Sequence, residues 1–292
     1  MPDHYRHTVS ELITRYELEP ALRDIYVEGY RDQYFLRWFF HYVGKSAVVV
    51  YPILDAVERG ELLQENGEGG NRARVIDLCV KLSAALSPGV QNVGGVIDKD
   101  YWELLGETCE CPLLTVTEFS CLECYCLDDE TLHKFSNVYL GKGVEVSCYR
   151  TMFAVLRQLF LLRAAKISLG KSKWVDGFTK LCSLDGSKIV FEFDEYVKRL
   201  VTASEGQLTE RSLRRRFGEL QDLAADVDFR QFINAHDLVS LLSWYSRNYL
   251  RVDAHVSNEQ SLQRGLLTSV EGATLKLTRL FGALNKWANV SA

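Results

Sequence analysis

Apolar residues follow two different rhythms along this chain. In the first half they come as short runs: Leu22–Glu28, Ser46–Tyr51 with three successive valines, Val93–Asp98 and Leu113–Val116. Short apolar runs rich in β-branched residues and bounded by turn residues predict buried strands. Helical spacing separates them. Residues 1–20 predict a leading amphipathic helix ended by Pro20, and Asn71 is positioned as the N-cap of a helix running to about Leu86 and closed by Ser87-Pro88-Gly89. Gln33–Val43 carries Tyr34, Phe35, Trp38, Phe39, Phe40 and Tyr42. That density predicts a core helix buried round most of its circumference, in preference to a base-stacking platform. Strand and helix alternating in this order predict an α/β fold with a mostly parallel sheet flanked by helices.

From about residue 144 the rhythm changes. Apolar residues recur at helical spacing through Tyr149–Leu169, Phe191–Val201, Leu213–Leu223, Ala235–Tyr249 and Ser261–Trp287. Two domains are therefore expected: residues 1–143, and a mainly helical domain over 144–292 serving dimerisation or partner binding. The rings of that half (Phe153, Phe160, Trp174, Trp244, Tyr245, Tyr249, Trp287) suit a domain core, with a homodimer core as the alternative.

Composition narrows the classes. Of 292 residues 47% are hydrophobic and 25% charged, with a formal net charge of −5. The mildly acidic total gives no general nucleic-acid signal, so binding would need a local basic patch. Arg211, Arg214, Arg215 and Arg216 form the one candidate, although Glu210, Glu219 and Asp222 around them also suit a solvated, ion-paired helix face. The start of the chain lacks the apolar stretch of a signal peptide, and the runs Ala47–Tyr51 and Leu159–Leu162 are too short to span a bilayer. A soluble, cytoplasmic protein without membrane association is expected. Eight cysteines in that setting predict free thiols. Cys109, Cys111, Cys121 and Cys124 form a CxC and a CxxC, but apolar neighbours favour buried thiols over a zinc site.

The candidate chemistry lies where the strands stop. The first ends at Glu28, turns at Gly29 and opens a helix carrying Asp32; the third ends at Asp98-Lys99-Asp100. Acids at the carboxyl ends of neighbouring strands face the crevice where α/β sheets bind ligands. Ser120-x-x-Glu123 after the fourth strand reads as a capping box, or as a fifth acid directed at the same crevice. Carboxylates that converge need a counter-charge, and the hard cations Mg²⁺ or Mn²⁺ are the expected cofactor. Glu28, Asp98 and Asp100 are the expected catalytic residues, with Glu28 and Asp98 the principal ligands and Asp32, Asp100 and Glu123 completing the metal set. His236 is more often structural than catalytic in such a place.

The succession E-G-x-x-D at Glu28–Asp32, a glycine-rich turn, then G-x-I-D-x-D at Gly95–Asp100 resembles the Toprim fold of topoisomerases, DnaG-type primases and the OLD-family nucleases. Together with Thr117–Glu123, and with a helical second half, it is similar to the AriB-type nuclease effectors of the PARIS anti-phage systems. The likeness covers residues 22–140. It implies a toxic metal-dependent nuclease, released from an ABC-type ATPase partner, homodimeric when active and cleaving RNA, with tRNA the expected substrate class. OLD-like relatives imply DNA nicking instead. A non-catalytic Toprim subunit docked on an ATPase is the alternative of another class; converging carboxylates favour the enzyme. A catalytic lysine or arginine has no obvious counterpart: Lys99 lies inside the D-x-D, and Lys45, Lys142 and Arg72 are candidates.

Overall fold

The computed structural model describes residues 6–58, 60–62, 70–90, 92–170, 175–204, 206 and 208–289. The chain runs α1 (Val9–Leu18), β1 (Asp24–Val27), α2 (Tyr30–Tyr42), β2 (Val49–Pro52), α3 (Ile53–Ala56), α4 (Gly70–Ala85), β3 (Val93–Ile97), α5 (Trp102–Leu105) and β4 (Leu114–Val116). It continues with α6 (Asp129–Lys134), α7 (Val146–Ser168), a hairpin of β5 (Cys182–Asp185) and β6 (Lys188–Phe191), then α8 (Phe193–Thr202), α9 (Glu210–Leu223), α10 (Ala235–Asn248), α11 (Glu259–Ser269), α12 (Gly272–Lys276) and α13 (Arg279–Trp287). These elements form two compact units. The first comprises Met1–Lys99, Thr108–Glu118 and Glu271–Ala292; the second comprises Asp100–Glu107 and Phe119–Val270. The division differs from a single cut at residue 143, because the last two helices join the first unit.

The first unit is built on a four-stranded sheet in the order β2-β1-β3-β4, every pair parallel. β1 is central and buried at all four positions, which explains its apolar run. The chain leaves β1 through α2 to β2 on one side. It then returns through α3 and α4 to β3 on the other side. The direction of winding therefore reverses between β1 and β3, with Val27 in register with Val96. Gly95 of β3 lets α4 approach closely: a Cβ there would come within 2.5 Å of the Cys79 sulfur and 2.9 Å of Val75. On α2, Phe35 and Phe39 meet Phe281 of α13 edge-on, with ring centroids 5.6 and 4.7 Å apart.

Three expectations change. α2 buries Phe35, Leu36, Phe39 and Phe40, but Tyr34, Trp38 and Tyr42 on its other side are exposed, so the helix is two-faced and not buried all round. The helical stretch Ser261–Trp287 is three helices. The backbone turns extended at Val270 and Glu271, and again at Thr278, which heads α13. Asn71 lies inside the first turn of α4, not at its cap.

The second unit is mainly helical. Its long α7 buries residues on all sides, including Leu156, Leu159, Phe160 and Ala164. Arg163 of α7 forms a buried ion pair with Asp237 of α10. No described helix is long and apolar enough to cross a membrane.

Candidate active site at the sheet switch point

In open α/β sheets, ligands bind outside the carboxyl ends of the strands where the strand order reverses. Here that point lies between β1 and β3, and Glu28 and Asp98 are the residues that follow them. Parallel pairing in register brings both to one edge. Glu28 accepts a hydrogen bond from the Asp98 backbone N–H, Oε1 to N 3.2 Å. The Glu28 carbonyl accepts from the Asn71 side-chain amide at 2.9 Å, so the start of α4 also fastens this turn. Both acids are half-buried.

Asp32 lies in the first turn of α2. Its carboxylate accepts from the Gly29 backbone N–H at 3.0 Å, which satisfies one orphan donor of the helix start. Beyond β3, the Lys99 N–H donates to the Thr117 hydroxyl at 2.8 Å, and the Lys99 carbonyl accepts from the Arg72 guanidinium at 3.1 Å. Arg72 therefore brings a cation to the loop that begins at Asp98. Lys45 lies four residues before β2, where its carbonyl accepts from the Val48 N–H, and belongs to the amino edge of the sheet, opposite the switch point. Sequence reasoning gave Asn71 only as a helix cap and Thr117 only as the start of the Thr117–Glu123 stretch, neither as a residue of the site. Thr117 stands after β4 as Glu28 stands after β1, so its strand-end position was the available signal.

The other expected acids belong to the second unit. Asp100 adopts a left-handed backbone with φ 45°, a conformation aspartate tolerates better than most residues, and its N–H donates to the Ser120 carbonyl at 2.9 Å. Glu123 is buried in a short 3₁₀ turn, Leu122–Cys126, and accepts from the Gln263 side chain of α11. The capping box expected at Ser120 and Glu123 does not form. Instead, the Ser120 hydroxyl donates to the carbonyls of Ile233 at 2.6 Å and Arg230 at 3.0 Å, and Cys121 heads the turn. Tertiary partners here outweigh the local motif.

Among the described residues, no group of three or more His, Cys, Asp or Glu side chains is arranged to hold a metal ion. All eight cysteines are free, with Cys109 and Cys111 in the first unit and Cys121 and Cys124 in the second. Burial pushes the Cys79 thiol up, and its neighbours Cys111 and Cys109 add to the effect.

Three arginines of the α9 patch are paired with acids, whereas Arg211 has no ion pair among the described residues. Arg214 binds Glu210 at 2.8 Å and Asp194 at 2.6 Å, Arg216 binds Glu219 at 2.9 Å, and Arg215 faces Glu219 at 3.7 Å. His236 opens α10 and lines a cleft of about 510 Å³ with Asp176, Trp244 and Glu259. Compared with models of known protein families and with curated proteins, the chain matches none.

Proposed function

We propose that the first unit is the catalytic part of a metal-dependent phosphodiesterase, a Toprim-like nuclease acting with Mg²⁺ or Mn²⁺. One observation carries this reading: Glu28 and Asp98 leave adjacent strands at the switch point, and the Glu28 carboxylate rests on the Asp98 backbone N–H. Two half-buried carboxylates at a crevice suit a cation that keeps several waters and takes one or two protein carboxylates, the usual habit of Mg²⁺. Glu28 and Asp98 would hold it, with Asp32 within the same first turn of α2. When bound, such a cation supplies Lewis acidity at a phosphoryl oxygen.

The chain's own residues set the geometry. The Asp98 N–H and Asn71 fix Glu28 from side chain and backbone, and Thr117 and Arg72 fix the loop that carries Asp98. Arg72 is placed to offset phosphate charge near that loop. Asp100 and Glu123 belong to the second unit, and their part in the reaction rests on the motif. So does the wider biology: a toxic effector of anti-phage defence, restrained by an ABC-type ATPase, homodimeric when active, with RNA and above all tRNA as substrate.

The test is cleavage of total tRNA and of supercoiled plasmid, each with Mg²⁺, with Mn²⁺ and with chelator. Parent protein should cut one substrate in a cation-dependent way, and Glu28→Gln and Asp98→Asn should not. Plasmid nicking without RNA cleavage would favour the OLD-like alternative. Undiminished cleavage by Glu28→Gln, or equal toxicity of both forms in cells, would remove the catalytic assignment.

A further inference from the structure

The outer face of α2 is aromatic and basic. Its exposed residues are Tyr30, Tyr34, Trp38 and Tyr42, interleaved with Arg31, Arg37 and His41. Tyr30, Tyr34, Trp38 and Tyr42 are 51%, 60%, 38% and 52% exposed, unusual values for four large rings on one helix. They recur every fourth residue, so they form a row with a rise of about 6 Å between positions. Trp38 is clamped between near-parallel rings, Phe35 at 5.8 Å and Tyr42 at 6.1 Å. Tyr42 in turn lies over Gly272, where a Cβ would come within 2.5 Å of its ring. Trp38 and Tyr42 are therefore held in place, while Tyr34, at 60%, is the most exposed ring of the row. The Tyr30 hydroxyl is tethered to Asp55.

Charge distinguishes what such a row suits. None of the exposed residues of α2 is acidic or aliphatic. Asp32, its one acid, is turned to the Gly29 N–H. Among the described residues neither Arg31 nor Arg37 has an ion-pair partner, in contrast to Arg214, Arg215 and Arg216 of α9. Rings for stacking and unspent cations, with Asp55 beside Tyr30 the acid at one end of the row, match a strand of nucleic acid with unpaired bases, in which every base offers a π-face and every linkage a negative charge. The row also begins at Tyr30, two residues after Glu28.

We infer that the outer face of α2 is a stacking platform that leads single-stranded nucleic acid to the switch-point crevice. The choice of occupant rests on the phosphodiesterase reading. Tyr34 stacks a base, with Trp38 as the fixed ring one turn on, and Arg31 and Arg37 neutralise the backbone. Tyr42 and Phe35 hold the indole in position. A duplex, whose bases are already stacked, gains nothing from the rings and binds through charge alone.

The test uses the full chain carrying Glu28→Gln, in chelator, so that binding is read without cleavage. The probes are a fluorescent oligouridylate, an oligothymidylate and a duplex of equal length, titrated at several salt concentrations. Tyr34→Ala is expected to weaken single-strand binding about tenfold and duplex binding little, while Tyr34→Phe stays within about twofold of the parent. Arg37→Ala is expected to lower the salt slope by about one. Tyr34 and Arg37 are exposed, so these variants keep the test intact even if Trp38→Ala fails to fold. Unchanged affinity in Tyr34→Ala, with cleavage by the parent intact, overturns the platform and leaves the nuclease reading standing. Ring-dependent binding with no cleavage by the parent overturns the nuclease reading and leaves the platform. Failure of the parent to bind any oligonucleotide, with Tyr34→Ala losing capture of an ABC-type ATPase, makes the face a protein interface and overturns the platform.

Discussion

β1 carries an acid near each end, Asp24 at its start and Glu28 just past its finish, and the two have opposite fates. Asp24 is fully buried. The Tyr16 hydroxyl donates to it at 3.0 Å, the Arg15 guanidinium lies 3.4 Å away, and Tyr16 and Tyr26 share a 2.7 Å hydrogen bond. Burial pushes the Asp24 carboxyl above the usual carboxylate range, while Arg15 and Tyr16 pull it back. Its Oδ1 has no hydrogen-bond partner among the described residues. At the other end Glu28 is half-buried and leans on one backbone N–H of the neighbouring turn. The lesson is that an acid's place on the strand matters more than its type. α1 packs at the amino edge, so an acid there serves the fold; in the proposed reading the acid at the carboxyl edge serves a ligand.

Substitution at the two ends should separate cleanly. The largest effect expected is on activity: Glu28→Gln should lower the cleavage rate by about a hundredfold or more, with the melting temperature unchanged. A fall in both quantities would make Glu28 a second structural acid. Next, Asp24→Ala should leave the hydroxyls of Tyr16 and Tyr26 short of an acceptor and cost about 2 kcal/mol in denaturant unfolding. Its residual folded population should still cleave. Asp24→Asn should cost less and should change the pH dependence. A carboxyl raised in the folded state holds its proton more tightly there than in the unfolded chain. Its contribution is therefore most favourable below about pH 4 and declines as pH rises through the folded value. The asparagine variant should lack that decline, which melts across a pH series would detect. Smallest is Asp32→Ala, expected to lose about 1 kcal/mol with the Gly29 cap. Asp32→Asn keeps an acceptor for the cap but not the charge, so stability recovered without activity would assign Asp32 to the metal as well as to the helix.

The strands, and the positions of Glu28 and Asp98 just past two of them, were legible because buried parallel strands are written as short apolar runs. The outer face of α2 was not. Tyrosine and tryptophan count as apolar in a pattern, yet each has a polar tip that tolerates water, so a ring-rich helix looks buried until its neighbours are known. The hairpin β5–β6 was missed although the two-residue turn Gly186-Ser187 stands between its two runs, a hairpin signal. At Ser120 and Glu123 the local pattern was present, but its partners Ile233 and Gln263 lie far along the chain, where no local motif can point.

The placement of α13 has a consequence for how this protein comes into being. Phe281, far along the chain from α2, completes the wall against which Phe35 and Phe39 rest. A nascent chain that has emerged only through β4 already contains Glu28 and Asp98, yet α2 still lacks its support. The crevice therefore matures only once α13 has been made, and a protein truncated after the sheet would carry the acids without the backing that steadies them.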